Sequence, residues 1–358
     1  MTGHVMVGCD PHKLSVTLAA IDPVGVDVGA ATFANDAAGL AEAASWVEAV
    51  GVVERVGIEG SAGHGRHLAD LLVAAGHDVR EVPARRTAQR RRDRRRPKTD
   101  RDDALAIARE VAADPSLGPC RAARGSSPTL EELAVVEAWR ADLVERRKRV
   151  LNVAESLLGA LPLSLLDEVG RTGKTLARLR RASRCVAGIH GPTRARLDQL
   201  NDLLAAHDDL SDQIRRADQR LGPLVDATNT TLREETGIST ASAARLLVEI
   251  GDPSRFRTEA GFARWCGTAA VAASSGEGDR APTRHRLDLG GNRRVNAVIH
   301  LMSVVQGRCS PDARAYLDRK RSEGKTSKEA RRAHKRHLAN RIIRRMWHDA
   351  TRQQPAPA

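Results

Sequence analysis

Two short apolar runs near the N-terminus each end on a carboxylate: Val5-Met6-Val7-Gly8-Cys9-Asp10 and Arg55-Val56-Gly57-Ile58-Glu59. Runs this short and apolar read as buried strands, so their terminal acids stand together at the edge of one sheet. A third acidic stretch, Lys98-Thr99-Asp100-Arg101-Asp102-Asp103-Ala104, places Asp100 and Asp103 at i and i+3, one face of a helix. Asp10, Glu59, Asp100 and Asp103 therefore read as one constellation drawn from separate segments. Carboxylates that close repel one another and are tolerable only when cations neutralise them. Oxygen donors without an accompanying set of cysteine or histidine favour Mg2+ or Mn2+. Two such ions side by side clamp an in-line displacement at phosphorus.

The surrounding order of elements is consistent with that placement. Val5 to Asp10, Ser15 to Ile21 and Val26 to Phe33 predict successive strands, with turn signals at Pro11 and Pro23-Val24-Gly25. Asp36 to Val50 predicts a helix with Asp36 as its cap and Leu40, Ala44 and Val47 on one face. The strand ending at Glu59, a helix from Gly65 to Ala75 and a strand from Asp78 to Val82 follow. This succession resembles the ribonuclease-H-like, RuvC-type nuclease core. The expected fold class is α/β plus α. It comprises an RNase H-like domain over 1–115, a helical coiled-coil region over 116–228, a mostly helical C-terminal domain over 229–350 and a disordered end over 351–358.

A formal net charge of +13 and a pI near 10.3 point to a polyanionic partner. The charge is uneven: Arg90, Arg91, Arg92, Arg94, Arg95, Arg96 and Lys98 crowd into the stretch that leads to Asp100, where they can hold the strand to be cut. No run approaches the roughly eighteen apolar residues of a membrane span, and the N-terminus lacks a secretory pattern, so a cytoplasmic protein with no membrane partner is expected. Cys9, Cys120, Cys185, Cys266 and Cys309 are scattered and odd in number, indicating neither a disulfide framework nor a zinc site. Aromatic residues make up 2% of the chain, so phosphate contacts and arginine planes, rather than aromatic stacking, must carry nucleic-acid binding.

From Pro128 the pattern turns to long helices. Leu133, Val136, Leu143, Val150, Ala154 and Leu157 fit heptad seam places, interrupted by Arg140 and Arg147. Leu200, Leu203, Leu210, Ile214, Ala217, Leu221 and Leu224 fit a second seam, with His207 expected there as a partly exposed residue. An antiparallel pair, or pairing across subunits, is the economical reading. Gly170-Arg171-Thr172-Gly173-Lys174-Thr175 is two residues too short for a phosphate loop, which excludes ATP binding there. Further on, Ala272-Ala273-Ser274-Ser275-Gly276-Glu277-Gly278 precedes Arg280, Arg284, His285 and Arg286, then Gly290-Gly291-Asn292-Arg293-Arg294. Small residues around a serine let a backbone approach, and a cationic field favours an alkoxide and the phosphate it attacks. The tail from Asp312 to Arg345 reads as a basic helical surface with Ile342, Ile343, Met346 and Trp347 as an apolar stripe.

Taken together, these motifs resemble the DEDD-type insertion-sequence transposases, whose RuvC-like N-terminal domain is paired with a serine-bearing C-terminal domain. Bridge-RNA-guided recombinases and the pilin-gene invertases are among their relatives. The resemblance assigns Asp10, Glu59, Asp100 and Asp103 to Mg2+ (or Mn2+), with Asp102 between the matching positions. It assigns Ser275, with Ser274 as alternate, to the nucleophile, and Arg284, Arg286, Arg293 and Arg294 to nucleic acid. It implies a recombinase acting on donor and target DNA through a covalent phosphoserine, a guide (bridge) RNA, and a homo-oligomer, dimer or tetramer. The Glu235-Thr236-Gly237-Ile238-Ser239 turn lies where the family has a helix-hairpin-helix, with Ser239 in place of a second glycine. Two other classes stay open on the residues: a metal-dependent junction endonuclease without serine chemistry, and a non-catalytic nucleic-acid-binding descendant.

Overall fold

A computed structural model of the chain describes residues 3–61, 63–83, 99–115, 117–120, 127–185, 188–272, 285–287 and 291–353. Two compact units divide it: Met1–Ser127 with Gly251–Arg257, and Pro128–Ile250 with Thr258–Ala358.

The first unit is built on a five-stranded mixed sheet of β1 (His4–Pro11), β2 (Ser15–Ile21), β3 (Asp27–Ala34), β4 (Val52–Ile58) and β5 (Val79–Glu81), in the order β3-β2-β1-β4-β5. β1 runs antiparallel to β2 and parallel to β4. Side chains alternate across the pleat. Val5, Val7 and Cys9 of β1, with Val56 and Ile58 of β4, pack in one cluster with Leu40 and Val47 of α1 (Ala37–Ala49) and Leu68 and Leu72 of α2 (Arg66–Ala74). Asp36 caps α1 as expected, accepting from the Gly39 amide at 2.9 Å.

The opposite face is covered by α3 (Asp100–Ala113), whose Ala104, Leu105 and Ala108 cluster with Ala19 and Ile21, and whose Ile107 and Val111 cluster with Val82. Here the sheet presents glycine. Gly8 and Gly57 are register partners on β1 and β4. A Cβ at Gly8 would lie 2.0 Å from the Ala104 carbonyl oxygen and 2.3 Å from the Ala108 nitrogen, and one at Gly57 would lie 3.0 Å from Ile107 Cγ2. The pair forms a strip without side chains on which α3 lies directly against the strands.

In the second unit, α4 (Pro128–Gly159) and α7 (Gly191–Ala227) pack antiparallel. Arg140 Nε binds Asp218 at 2.5 Å and Arg147 Nη1 binds Ser211 at 3.2 Å, so one position rises as its partner falls. Leu143, Leu210 and Ile214 fill the seam between them. The heptad reading drifts at its ends: Leu158 and Val225 are buried where Leu157 and Leu224 were expected, because 3.6 residues per turn departs from a 3.5-residue repeat along helices this long. His207 is also corrected. It is 6% exposed rather than partly exposed, with Nδ1 on Asp208 at 2.9 Å.

Short helices α5 (Leu163–Val169) and α6 (Thr175–Ala182) close that end. The rest of the unit comprises α8 (Thr240–Ile250), α9 (Glu259–Trp265), the antiparallel pair β6 (Ala270–Ala272) and β7 (His285–Leu287), α10 (Arg293–Cys309), α11 (Pro311–Ser322) and α12 (Ser327–Gln353). Ile342, Ile343 and Met346 are buried, as the apolar stripe predicts. The basic face is less free than the sequence suggests, since Arg341 and Arg345 bind the buried Glu235, and Arg344 binds Glu259. α12 reaches Gln353, past the start of the expected disordered end, and 354–358 lie outside the described residues. No helix among the described residues is long and apolar enough to cross a membrane.

Candidate active site

The alternation that sends Val7 and Cys9 toward α1 and α2 puts Asp10 on the α3 side, at the C-terminal end of β1. Glu59 follows β4 in the same way. Its amide donates to the Cys9 carbonyl at 3.3 Å, extending the parallel ladder one step. The Gly8–Gly57 strip lets α3 approach, and its first turn carries Asp100, Asp102 and Asp103. Asp103 is buried at 3% exposure and Asp10 at 9%, whereas Asp100 is exposed. Burial pushes the Asp10 carboxyl above its usual range, the neighbouring Asp103 and Glu59 add to the rise, and His12 opposes it. Glu59 and Asp103 are thus both electrostatic neighbours of Asp10.

Asp100 joins the group through His12, a residue the sequence reading passed over. His12 Nε2 lies 3.1 Å from Asp10 Oδ2 and 3.4 Å from Asp100 Oδ1. One ligand atom from each of Asp10, His12 and Asp100 falls within 4.8 Å of the others. The donors present, mostly carboxylate oxygen in a crowded and partly buried cluster, suit a divalent cation. Asp102 turns elsewhere: its carboxylate accepts from Thr99 Oγ1 at 2.7 Å while its amide donates back to that hydroxyl at 3.1 Å. It serves the helix start, where the helix dipole also favours acidic side chains.

A second residue missed from the sequence steadies Glu59. Glu81, ending β5, accepts from the Gly60 amide at 3.1 Å, the Ser61 amide at 3.2 Å and the Ser61 hydroxyl, and so fixes the turn that follows Glu59. Only the far separation of 59 and 81 in sequence hid this contact.

Ser275, Ser274, Arg284, Arg90, Arg91, Arg92, Arg94, Arg95, Arg96 and Lys98 lie outside the described residues. Arg286 sits on β7, its backbone paired with Val271. The segment containing Ser275 leaves from β6 and returns on β7. Residues 265–267 and 291–296 are locked together. A Cβ at Gly291 would lie 2.2 Å from the Gly267 nitrogen. The Asn292 amide donates to the Trp265 carbonyl at 2.7 Å, and Asn296 Nδ2 donates to the Cys266 carbonyl at 2.8 Å. Asn292 Oδ1 also caps α10, accepting from the Arg294 and Val295 amides at 3.0 Å.

Arg293 is exposed at that helix start. Arg294, expected from its motif to contact phosphate, also makes ion pairs within its own unit. It binds Glu137, 1% exposed, and Glu249 at 3.1 Å, while Arg245 binds the other Glu137 oxygen at 2.8 Å. Arg294→Ala alone should cost about 1 kcal/mol, because its side chain is 46% exposed and Arg245 stays in place. The Arg245→Ala/Arg294→Ala double variant strands a buried carboxylate and should cost about 3 kcal/mol, more than the sum of the singles. Urea denaturation of the three variants checks this.

Acids at two strand ends and one helix start, on a mixed sheet with helices on both faces, are the arrangement of a DEDD nuclease-like domain. A family model for DEDD transposases of the IS110 type, described as a transposase, matches residues 7–161, and a second, described as the IS116/IS110/IS902 transposase family, matches 229–318. The chain belongs to the IS110 family of transposases. It is 30% identical over 205 residues to the insertion element IS110 uncharacterized 43.6 kDa protein of Streptomyces coelicolor, a match spanning 55% of this chain and 44% of that relative.

Proposed function

We propose that this chain is a DNA recombinase that moves an insertion sequence by metal-dependent cutting and rejoining through Ser275. The observation that carries the reading is the gathering of acids about Asp10: Asp100 and His12 offer ligand atoms within 4.8 Å of its own, and Glu59 and Asp103 act on its carboxyl. The proposed organisation is a RuvC-type domain over 1–115, a coiled-coil region over 116–228 and a serine-bearing domain over 229–350.

In this reading, bound Mg2+ or Mn2+ stabilises charge on the oxygens entering and leaving phosphorus. Asp10, Glu59, Asp100 and Asp103 hold the metal, with Asp10 and Asp103 partly screened from water. Ser275 Oγ loses its proton and bonds to the scissile phosphorus, and the leaving strand departs as a free hydroxyl. The phosphoserine ester conserves the energy of the broken bond, so a hydroxyl of a second DNA can displace the serine without ATP. Arg90, Arg91, Arg92, Arg94, Arg95, Arg96, Lys98, Arg284, Arg286, Arg293 and Arg294 contact phosphate, with a steep dependence on salt. Donor and target DNA are the substrates. Strand exchange needs more than one cut, which calls for a homo-oligomer. Base pairing with a bridge RNA would choose the target, a division of labour suited to an arginine-rich, aromatic-poor chain.

The test is strand exchange between a donor bearing the element's ends and its target, with the bridge RNA supplied. Ser275→Ala should yield no exchanged product in Mg2+. Exchange by that variant at the wild-type level would overturn the serine step.

A further inference from the structure

Among the described residues, Asp10, His12 and Asp100 could share one ion, and of these three His12 brings nitrogen rather than oxygen. Its Nε2 sits 3.1 Å from Asp10 Oδ2 and 3.4 Å from Asp100 Oδ1. Ligands at right angles on a cation about 2.1 Å away stand about 3 Å apart, so these separations match neighbouring corners of one coordination shell. The position is also anchored. The His12 amide donates to the Ser15 carbonyl at 2.7 Å, and Asn35 Nδ2 donates to the His12 carbonyl at 2.7 Å. Asn35 Nδ2 is also 3.0 Å from the His64 carbonyl, tying this turn to the loop before α2. The backbone that carries the imidazole is therefore held from two sides, although the ring itself is 41% exposed and reachable by a solvated ion.

We propose that His12 is a direct ligand of the cation held by Asp10 and Asp100, and that its nitrogen biases this site toward Mn2+ over Mg2+. The inference rests on the metal reading above and deepens it. Imidazole suits transition ions, whereas Mg2+ prefers oxygen and keeps its waters. Removing the ring therefore weakens Mn2+ more than Mg2+. A histidine that only bridged the two carboxylates by hydrogen bonds would leave the preference unchanged.

The test uses the full chain and Mn2+ alone. Pulsed electron paramagnetic resonance of bound Mn2+ should show histidine nitrogen modulation in the wild type and none in His12→Ala. Calorimetric titration should show Mn2+ affinity falling at least about tenfold in His12→Ala, with Mg2+ affinity falling less. If Mn2+ binds and is lost in Asp10→Asn, yet the wild type shows no nitrogen modulation, His12 is not a ligand while the acidic metal site stands. Modulation persisting in His12→Ala, or a parallel fall for both ions, overturns the inference in the same way. Failure of the wild type to bind Mn2+ overturns both readings. The wild-type spectrum needs no variant, so a folding defect in His12→Ala cannot mask the answer.

Discussion

Asp103→Asn should lower DNA strand cleavage by about a thousandfold, equivalent to about 4 kcal/mol of lost transition-state stabilisation, while leaving the fold as stable as before or slightly more so. The two effects diverge for one physical reason. Asp103 is 3% exposed and raises the Asp10 carboxyl, so without cations the ionised Asp10 is disfavoured by its neighbour. Asparagine keeps the shape and removes that repulsion, but under the proposed function it also removes a negative ligand of the metal. Thermal unfolding in chelator and cleavage in Mg2+, measured on the same preparation, should therefore move in opposite directions. Loss of activity accompanied by an equal loss of stability would mark Asp103 as a structural acid.

The second large effect is expected at a residue without chemistry. Gly8→Ala should destabilise the first unit by about 3 kcal/mol and abolish cleavage even where the protein still folds. The new methyl would stand 2.0 Å from the Ala104 carbonyl oxygen and 2.3 Å from the Ala108 nitrogen, both backbone atoms. Only a shift of α3 away from the sheet can relieve that contact. Such a shift carries Asp100 and Asp103 away from Asp10 and Glu59, and misplacement by about 1 Å can cost a hundredfold in rate. Gly29→Ala is the control: it lies in the same sheet, and its nearest neighbour would be Trp46 at 4.0 Å. Urea unfolding and Mn2+ binding of the two variants separate the cases.

How much of this was legible in the sequence follows from the range of each interaction. Strands and caps rest on local periodicity and turn chemistry. β1 and β2 accordingly fall where the alternation places them, and Asp36 caps its helix. The same period-2 rule places Asp10 and Glu59 at neighbouring strand ends. Close approach is a different matter, because nothing local distinguishes Gly8 from a glycine that merely weakens a strand. His12 was within reach: it lies two residues past Asp10, and the turn closed by its bond to Ser15 keeps it beside that carboxylate. Treating the acids as a set without histidine hid it. The ion pairs of Arg294 were not legible, since its partners Glu137 and Glu249 lie in other helices far along the chain.

The most direct measurement of the central claim is denaturing electrophoresis after the wild type meets the proposed donor DNA and bridge RNA in Mg2+. A protein–DNA adduct should survive denaturation, be absent with chelator, and be absent from Asp10→Asn and Ser275→Ala. Cleaved and rejoined DNA accumulating without any such adduct would contradict the account.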